Sequence, residues 1–271
     1  MDKISAINKP KAVVVFSGGQ DSTTCLYWAL RQGWDVYPIT FNYGQRHARE
    51  IEAATKIAQM AGLGNVHDII HVGDGILHGT SPLVNPNSKL EQYADHASLP
   101  GGIEKTFVPM RNQLFLTIAA NRAVCLGAQY VVTGVCEEDY GGYPDCRRVF
   151  INAIQDAINL GTYDFSKGSD QGLPISIVTP LMLLSKKATV ELATTLPGCM
   201  KALAYSHTSY DGQYPPVGKD HATLLRAKGF EEANIPDPLV LRAWKEGLMF
   251  LPETANYYIE LANQWAQVLD L

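Results

Sequence analysis

Five short apolar runs, each followed by a polar turn and then by residues of helical period, set the frame of this chain. The first is Ala12-Val13-Val14-Val15, a β-branched run that reads as a buried strand. A helix then starts at Asp21 or Ser22 and runs through Gln32 to its stop at Gly33. Asp35 to Phe41 is the second strand, with Pro38 marking a strand start, and its helix ends near Ala61 before Gly62. His67 to Val72, Gln129 to Val135 and Ile175 to Val178 supply three more strands. Helices over Asn112 to Leu126 and Arg148 to Leu160, and one from Ser185-Lys186-Lys187, separate or follow them. Five β–α steps without internal repeats predict an α/β fold, a doubly wound parallel five-stranded sheet of Rossmann-like type.

Two stretches break the rhythm. Gly73 to Thr106 is rich in Gly, Pro, Ser, Asn and His and lacks a period, so it reads as a mobile lid beside the ligand. After Pro197-Gly198 the texture changes, which divides the chain into an α/β domain over 1–198 and a small C-terminal helical region over 199–271. Ser206 to Asp220 reads as loop, Ala222 to Ala233 as helix, and Pro236-Asp237-Pro238 as a break. In Thr254 to Leu269 the spacing of Tyr258, Leu261, Trp265 and Val268 predicts a packing or homodimer face rather than a ligand site.

Composition narrows the class. The chain has 271 residues, 46% hydrophobic and 18% charged, enough for a sizeable core. A net charge of −5 supplies no basic excess for a nucleic-acid backbone. Neither a signal peptide nor a long apolar span is evident, so the expected location is cytoplasmic, away from membranes. The five cysteines form no C-x-x-C pair, which suits reduced thiols.

The candidate chemistry lies where the strands end. Phe16-Ser17-Gly18-Gly19-Gln20-Asp21-Ser22-Thr23 joins the first strand to its helix through a Gly-Gly turn and hydroxyls. Glycines let the backbone approach an anion, and a helix N-terminus aims free N–H groups and partial positive charge at it. Neither a Gly-Lys-Ser/Thr nor a G-x-G-x-x-G follows, so this phosphate cradle is of another kind. Tyr43, Gln45, Arg46 and His47 stand at the end of the second strand, where α/β sheets bind ligands; Arg46 and His47 serve equally well as helix-start residues. The fourth strand ends in Cys136-Glu137-Glu138-Asp139-Tyr140-Gly141-Gly142-Tyr143-Pro144-Asp145-Cys146-Arg147, a mixture of acids, aromatics and turn glycines.

The SGGxDS turn resembles the pyrophosphate loop of enzymes that split ATP into AMP and pyrophosphate. Together with TFNYGQRH (40–47), TFVPMRN (106–112), TGVCEEDYGGYPDCR (133–147), TPLMLLSK (179–186) and LLRAKGFEEA (224–233), it resembles the 7-cyano-7-deazaguanine synthase family. That resemblance implies an adenine nucleotide alpha hydrolase fold, with ATP and Mg2+ as cofactors and 7-carboxy-7-deazaguanine and ammonia as substrates. It implies that Ser17, Gly18, Gly19, Gln20, Asp21, Ser22 and Thr23, with Tyr43, Gln45 and Arg46, hold the nucleotide. Asp21, Lys186 and Arg111 are the implied catalytic residues. A guanine-like edge wants a carboxylate and stacking faces; Phe107, Glu137, Asp139, Tyr140, Tyr143 and Asp145 are the candidates. Related enzymes of antiviral loci join the activated base to a protein amine, and a tRNA-acting ATP pyrophosphatase is a third reading. Two departures stand out. His207, Val217, Asp220 and Thr223 fall where the family carries zinc cysteines, so zinc is expected to be absent and the segment held by Leu224, Leu225 and Phe230. Met110 replaces the usual glycine before Arg111-Asn112.

Overall fold

The computed structural model describes residues 9–44, 49–73, 75–85, 87–99, 102–137, 142–163 and 173–271. Strands β1 (Lys11–Val15), β2 (Asp35–Asn42), β3 (Asp68–His71), β4 (Tyr130–Val132) and β5 (Ser176–Val178) form one parallel sheet in the order β3-β2-β1-β4-β5. From β1 the chain winds outward through β2 to β3, then returns to the other side of β1 with β4 and β5. The carboxyl ends of β1 and β4 therefore flank the switch point, where connections leave in opposite directions and open a crevice. Pro38 lies opposite Val14, one residue before the β2–β3 ladder starts at Ile39, so its missing N–H falls outside that ladder.

Side chains alternate across the sheet, and the β1 run splits accordingly. Ala12 and Val14 belong to a core with α1 (Gln20–Arg31), α2 (Arg49–Met60), α5 (Lys186–Thr195) and α6 (Cys199–Leu203). Val13 belongs to a second core with α3 (Arg111–Leu126) and α4 (Arg148–Thr162). Helices α7 (His221–Glu232), α8 (Pro238–Lys245) and α9 (Ile259–Leu269) extend the first core, to which Phe230, Leu241, Ala262 and Leu269 contribute. The C-terminal region thus shares its apolar interior with the sheet. No helix among the described residues is long and apolar enough to cross a membrane.

Several expectations are refined. In 254–269, only Ile259–Leu269 is helical, and its buried side is Ala262, Ala266 and Leu269. Trp265 leans on the core, whereas Tyr258 and Val268 are exposed, so the predicted stripe is split between core and solvent. The segment 73–106 is anchored at a few points, where Leu77, Ser81, Leu83, Glu104 and Thr106 are buried, and most of its other described residues are exposed or half-buried. It is tied to the region before α7, since the Tyr93 N–H donates to the Lys219 carbonyl at 2.9 Å and the Lys219 N–H donates to Gln92 Oε1 at 3.1 Å.

That region is held by apolar packing, with Leu225 and Phe230 buried, and by polar contacts besides. Asp220 caps α7: its Oδ1 accepts from Thr223 N–H, and its Oδ2 from Ser209 Oγ and Thr223 Oγ1, all at 3.0 Å. Ser209, not His207, therefore joins Asp220 and Thr223; the His207 ring lies 2.6 Å from the Ser209 carbonyl. Behind it, buried Arg226 grips Asp237 at 2.6 and 2.8 Å and donates to Ser206 Oγ, Thr208 Oγ1 and the Leu203 carbonyl.

Candidate active site

The Ser17–Thr23 turn sits at the carboxyl end of β1, and its geometry follows from its residues. Gly18 has φ +82, and a Cβ there would stand 2.6 Å from Ala54 N and 2.9 Å from the Glu50 carbonyl oxygen. Only glycine lets the turn lie this close to the first turns of α2. Ser17 and Ser22 hydroxyls are 3.0 Å apart, and Ser22 Oγ also accepts from the Ser17 N–H at 3.2 Å. From the far side, the His207 N–H donates to the Gly18 carbonyl at 2.9 Å. The turn is thereby clamped between α2 and the segment after α6, with the N-terminus of α1 beneath it. Such an end presents backbone donors and partial positive charge to an anion.

Asp21, in the first turn of α1, meets Lys186 from the start of α5: Nζ donates to Oδ2 at 2.7 Å, and both side chains are mostly buried. Asp21 Oδ1, Gln20 Nε2 and Thr23 Oγ1 are buried without a hydrogen-bond partner. The stem of Lys186 is accommodated because α7 carries Gly229 there; a Cβ on that glycine would be 2.9 Å from Lys186 Cβ. Two cavities open on Asp21, and Lys186 lines the first of them. One, of about 230 Å³, is lined by Ser17, Gly19, Gln20, Asp21, Ser22, Lys186, His207, Thr208, His221 and Arg226, among others. The other, of about 330 Å³, lies over the ends of β1, β2 and β4 and is lined by Thr40, Phe41, Tyr43, Leu83, Arg111, Asn112, Phe115 and Gly134 as well as the turn. Ser17, Asp21, Ser22, Glu50, Tyr143, Cys146 and Tyr210 belong to both walls.

The second cavity is built around a half-buried cation. Burial works against the charge of Arg111, but Tyr43, Tyr210, Tyr143 and Asp145 around it outweigh that and keep it protonated. Burial raises the Tyr43, Tyr143 and Tyr210 hydroxyls, so all three remain neutral. Burial also pushes Glu50 up to about 6, with Arg111 pulling the other way. Phe41 and Phe115 stack with centroids 4.1 Å apart, giving this cavity a flat apolar wall.

The residues expected from sequence are distributed as follows. Ser17, Gly19, Gln20, Asp21, Ser22, Tyr43, Arg111, Tyr143 and Lys186 line one or both cavities. Gly18 backs onto α2, and Thr23 is buried under the turn. Phe107 lines neither cavity but packs on Tyr143 at 5.3 Å. Glu137 accepts from the Arg148 N–H at the start of α4, and the Asp145 carbonyl accepts from Asn112 at 3.3 Å. Gln45, Arg46, Asp139 and Tyr140 lie outside the described residues. Glu50, Cys146, Tyr210 and His221 line the cavities without having been singled out for them, because each reads locally as an ordinary helix or loop residue.

The family model described as "Queuosine biosynthesis protein QueC" matches residues 11–234. A protein of Gloeobacter violaceus named 7-cyano-7-deazaguanine synthase is 49% identical over 237 residues, covering 87% of this chain and 96% of that one. One of the same name from Laribacter hongkongensis is 48% identical over 231 residues, covering 85% and 94%. Among solved structures, a 4-thiouridine synthetase–RNA complex with bound ATP is 17% identical with a TM-score of 0.44, covering 88% of this chain and 53% of that one.

Proposed function

The chain belongs to the queuosine biosynthesis protein QueC family, and on that premise we propose that it is an ATP-dependent C–N ligase making 7-cyano-7-deazaguanine from 7-carboxy-7-deazaguanine and ammonia. The carboxylate attacks the α-phosphorus of ATP; pyrophosphate leaves, and an acyl-adenylate remains. Ammonia attacks the acyl carbon, the bond to AMP breaks, and the nitrogen loses a proton to give the amide. A second ATP activates the amide oxygen, and loss of two N–H protons with the second AMP leaves the nitrile. The phosphate turn, with Ser17, Gly18, Gly19, Gln20, Asp21, Ser22 and Thr23, holds the departing pyrophosphate by backbone donors and hydroxyls. Its contribution is placement and charge stabilisation. Lys186, braced by Asp21, and Arg111 balance charge at the reacting phosphate and carboxylate.

The wall of Phe41, Phe115 and Leu83, with Tyr43 beside it, suits an adenine face. Tyr143, backed by Phe107, suits the deazaguanine ring; Glu137, Asp139, Tyr140 and Asp145 remain the candidates that the family resemblance offers for its polar edge. Mg2+ accompanies ATP and neutralises phosphate charge; the partnerless Asp21 Oδ1 is the atom that fits it. Zinc does not fit the 207–223 segment, where the Asp220 oxygens are already committed to Ser209 and Thr223. The observation that carries this reading is the clamped phosphate turn facing the Asp21–Lys186 pair at the sheet's switch point. Its test is AMP and pyrophosphate formation that requires the deazaguanine carboxylate, with a nitrile as the product by mass. An amide of ammonia or a labelled protein in place of the nitrile would replace this reading.

A further inference from the structure

Resting on that reaction, we propose that Glu50 is the proton acceptor for the nitrogen that attacks the acyl-adenylate. Both activation cycles oblige the nitrogen to shed protons: one as ammonia adds and AMP leaves, two more as the amide becomes a nitrile. The acceptor must stand where the phosphate turn and the base cavity meet, because the acyl–phosphate bond spans that point. Glu50 stands there, in the wall common to both cavities with Ser17, Asp21, Ser22 and Tyr210. Its position is fixed by the fold: it is in the first turn of α2, and its own carbonyl is seated against Gly18 of the phosphate turn. The other titratable groups of that wall are committed. Asp21 holds Lys186 at 2.7 Å, the Cys146 thiol lies between Asn112 Nδ2 at 3.6 Å and Asp145 Oδ1 at 3.9 Å, and Tyr143 and Tyr210 are kept protonated by burial. Tyr43 from the end of β2, Tyr210 from the segment after α6 and Arg111 from α3 face Glu50; burial disfavours its charge, and Arg111 favours it. The outcome, a carboxyl near 6, is more basic than an ordinary glutamate yet ionised at neutral pH. In the step itself the C–N bond forms, the C–O bond to AMP breaks with its electrons leaving on AMP, and the N–H proton passes to a Glu50 oxygen.

The test separates the two half-reactions. Substrate-dependent exchange of pyrophosphate into ATP reports adenylation; amide and nitrile formation from ammonia report the nitrogen steps. Glu50→Gln is expected to slow the ammonia steps about 100-fold or more while slowing exchange by less than about 10-fold. The wild-type to Glu50→Gln ratio of ammonia-step rates should also fall toward one as pH drops through about 6, a comparison in which ammonium ionisation cancels. Equal losses in both half-reactions, or a ratio flat with pH, would overturn the assignment of Glu50. Absence of exchange in the wild-type enzyme would instead overturn the adenylation reading on which it rests.

Discussion

Gly18→Ala tests how the phosphate turn is built. Gly18 and Gly33 share a left-handed backbone, at φ +82 and +75, but differ in their surroundings. Placing an L-residue in that region costs about 1–2 kcal/mol, and alanine recovers about 0.4–1 kcal/mol by restricting the unfolded chain. At Gly33 a Cβ meets nothing within 4 Å, so Gly33→Ala should cost about 1 kcal/mol or less. At Gly18 the Cβ would overlap Ala54 N at 2.6 Å and the Glu50 carbonyl at 2.9 Å, both backbone atoms that cannot rotate away. Overpacking of this kind adds about 1–3 kcal/mol, for a total near 2–4 kcal/mol. Urea unfolding of the two variants measures the difference, and AMP formation measures its consequence. Gly33→Ala should retain turnover, whereas Gly18→Ala should lose stability and at least about 100-fold in activity as α2 and the turn move apart. Equal midpoints for the two variants, with both active, would refute the close approach as the reason for glycine.

Three further outcomes follow from the same coordinates. Arg226→Met should destabilise by about 3–5 kcal/mol, because it strands the buried Asp237 carboxylate; a change below about 1 kcal/mol by urea unfolding would show the pair to be dispensable. Met110 has φ +65 with a largely exposed side chain, so Met110→Gly should stabilise by about 0.5–1 kcal/mol in the same assay, and a loss would refute the strain. Glu50 has a higher pKa folded than the ordinary 4.5, so its cost is absent below about 4.5 and fully present above about 6. Glu50→Gln should therefore match wild type at pH 4 and exceed it by up to about 2 kcal/mol at pH 8, and stability curves that run parallel across that range would deny the shift.

Much of the fold was legible because a parallel strand buried on both faces appears as an unbroken β-branched run, as in 13–15. The tight turn after β1 was legible because backbone closeness demands glycine locally, and Gly18 carries that demand in its own conformation. What lay hidden was convergence over distance. Glu50 looks like a favourable acid in a helix's first turn, and only the seating of α2 on Gly18 brings it to the site. Tyr210 and His221 sit in a segment whose altered chemistry drew attention to zinc, while their packing toward the cavities depends on the Asp220 cap and the Arg226 anchor. The same long-range contacts explain why Ser209 rather than His207 meets Asp220, a distinction that spacing cannot make.

The central claim is that both carboxylate oxygens leave on AMP, one in each activation, with nitrogen replacing them. Incubation of the enzyme with ATP, ammonia and 7-carboxy-7-deazaguanine labelled with 18O in both carboxylate positions tests it directly by mass spectrometry. The account predicts an unlabelled nitrile and two equivalents of AMP, each carrying a single 18O. Unlabelled AMP, or release of ADP and phosphate, would contradict it.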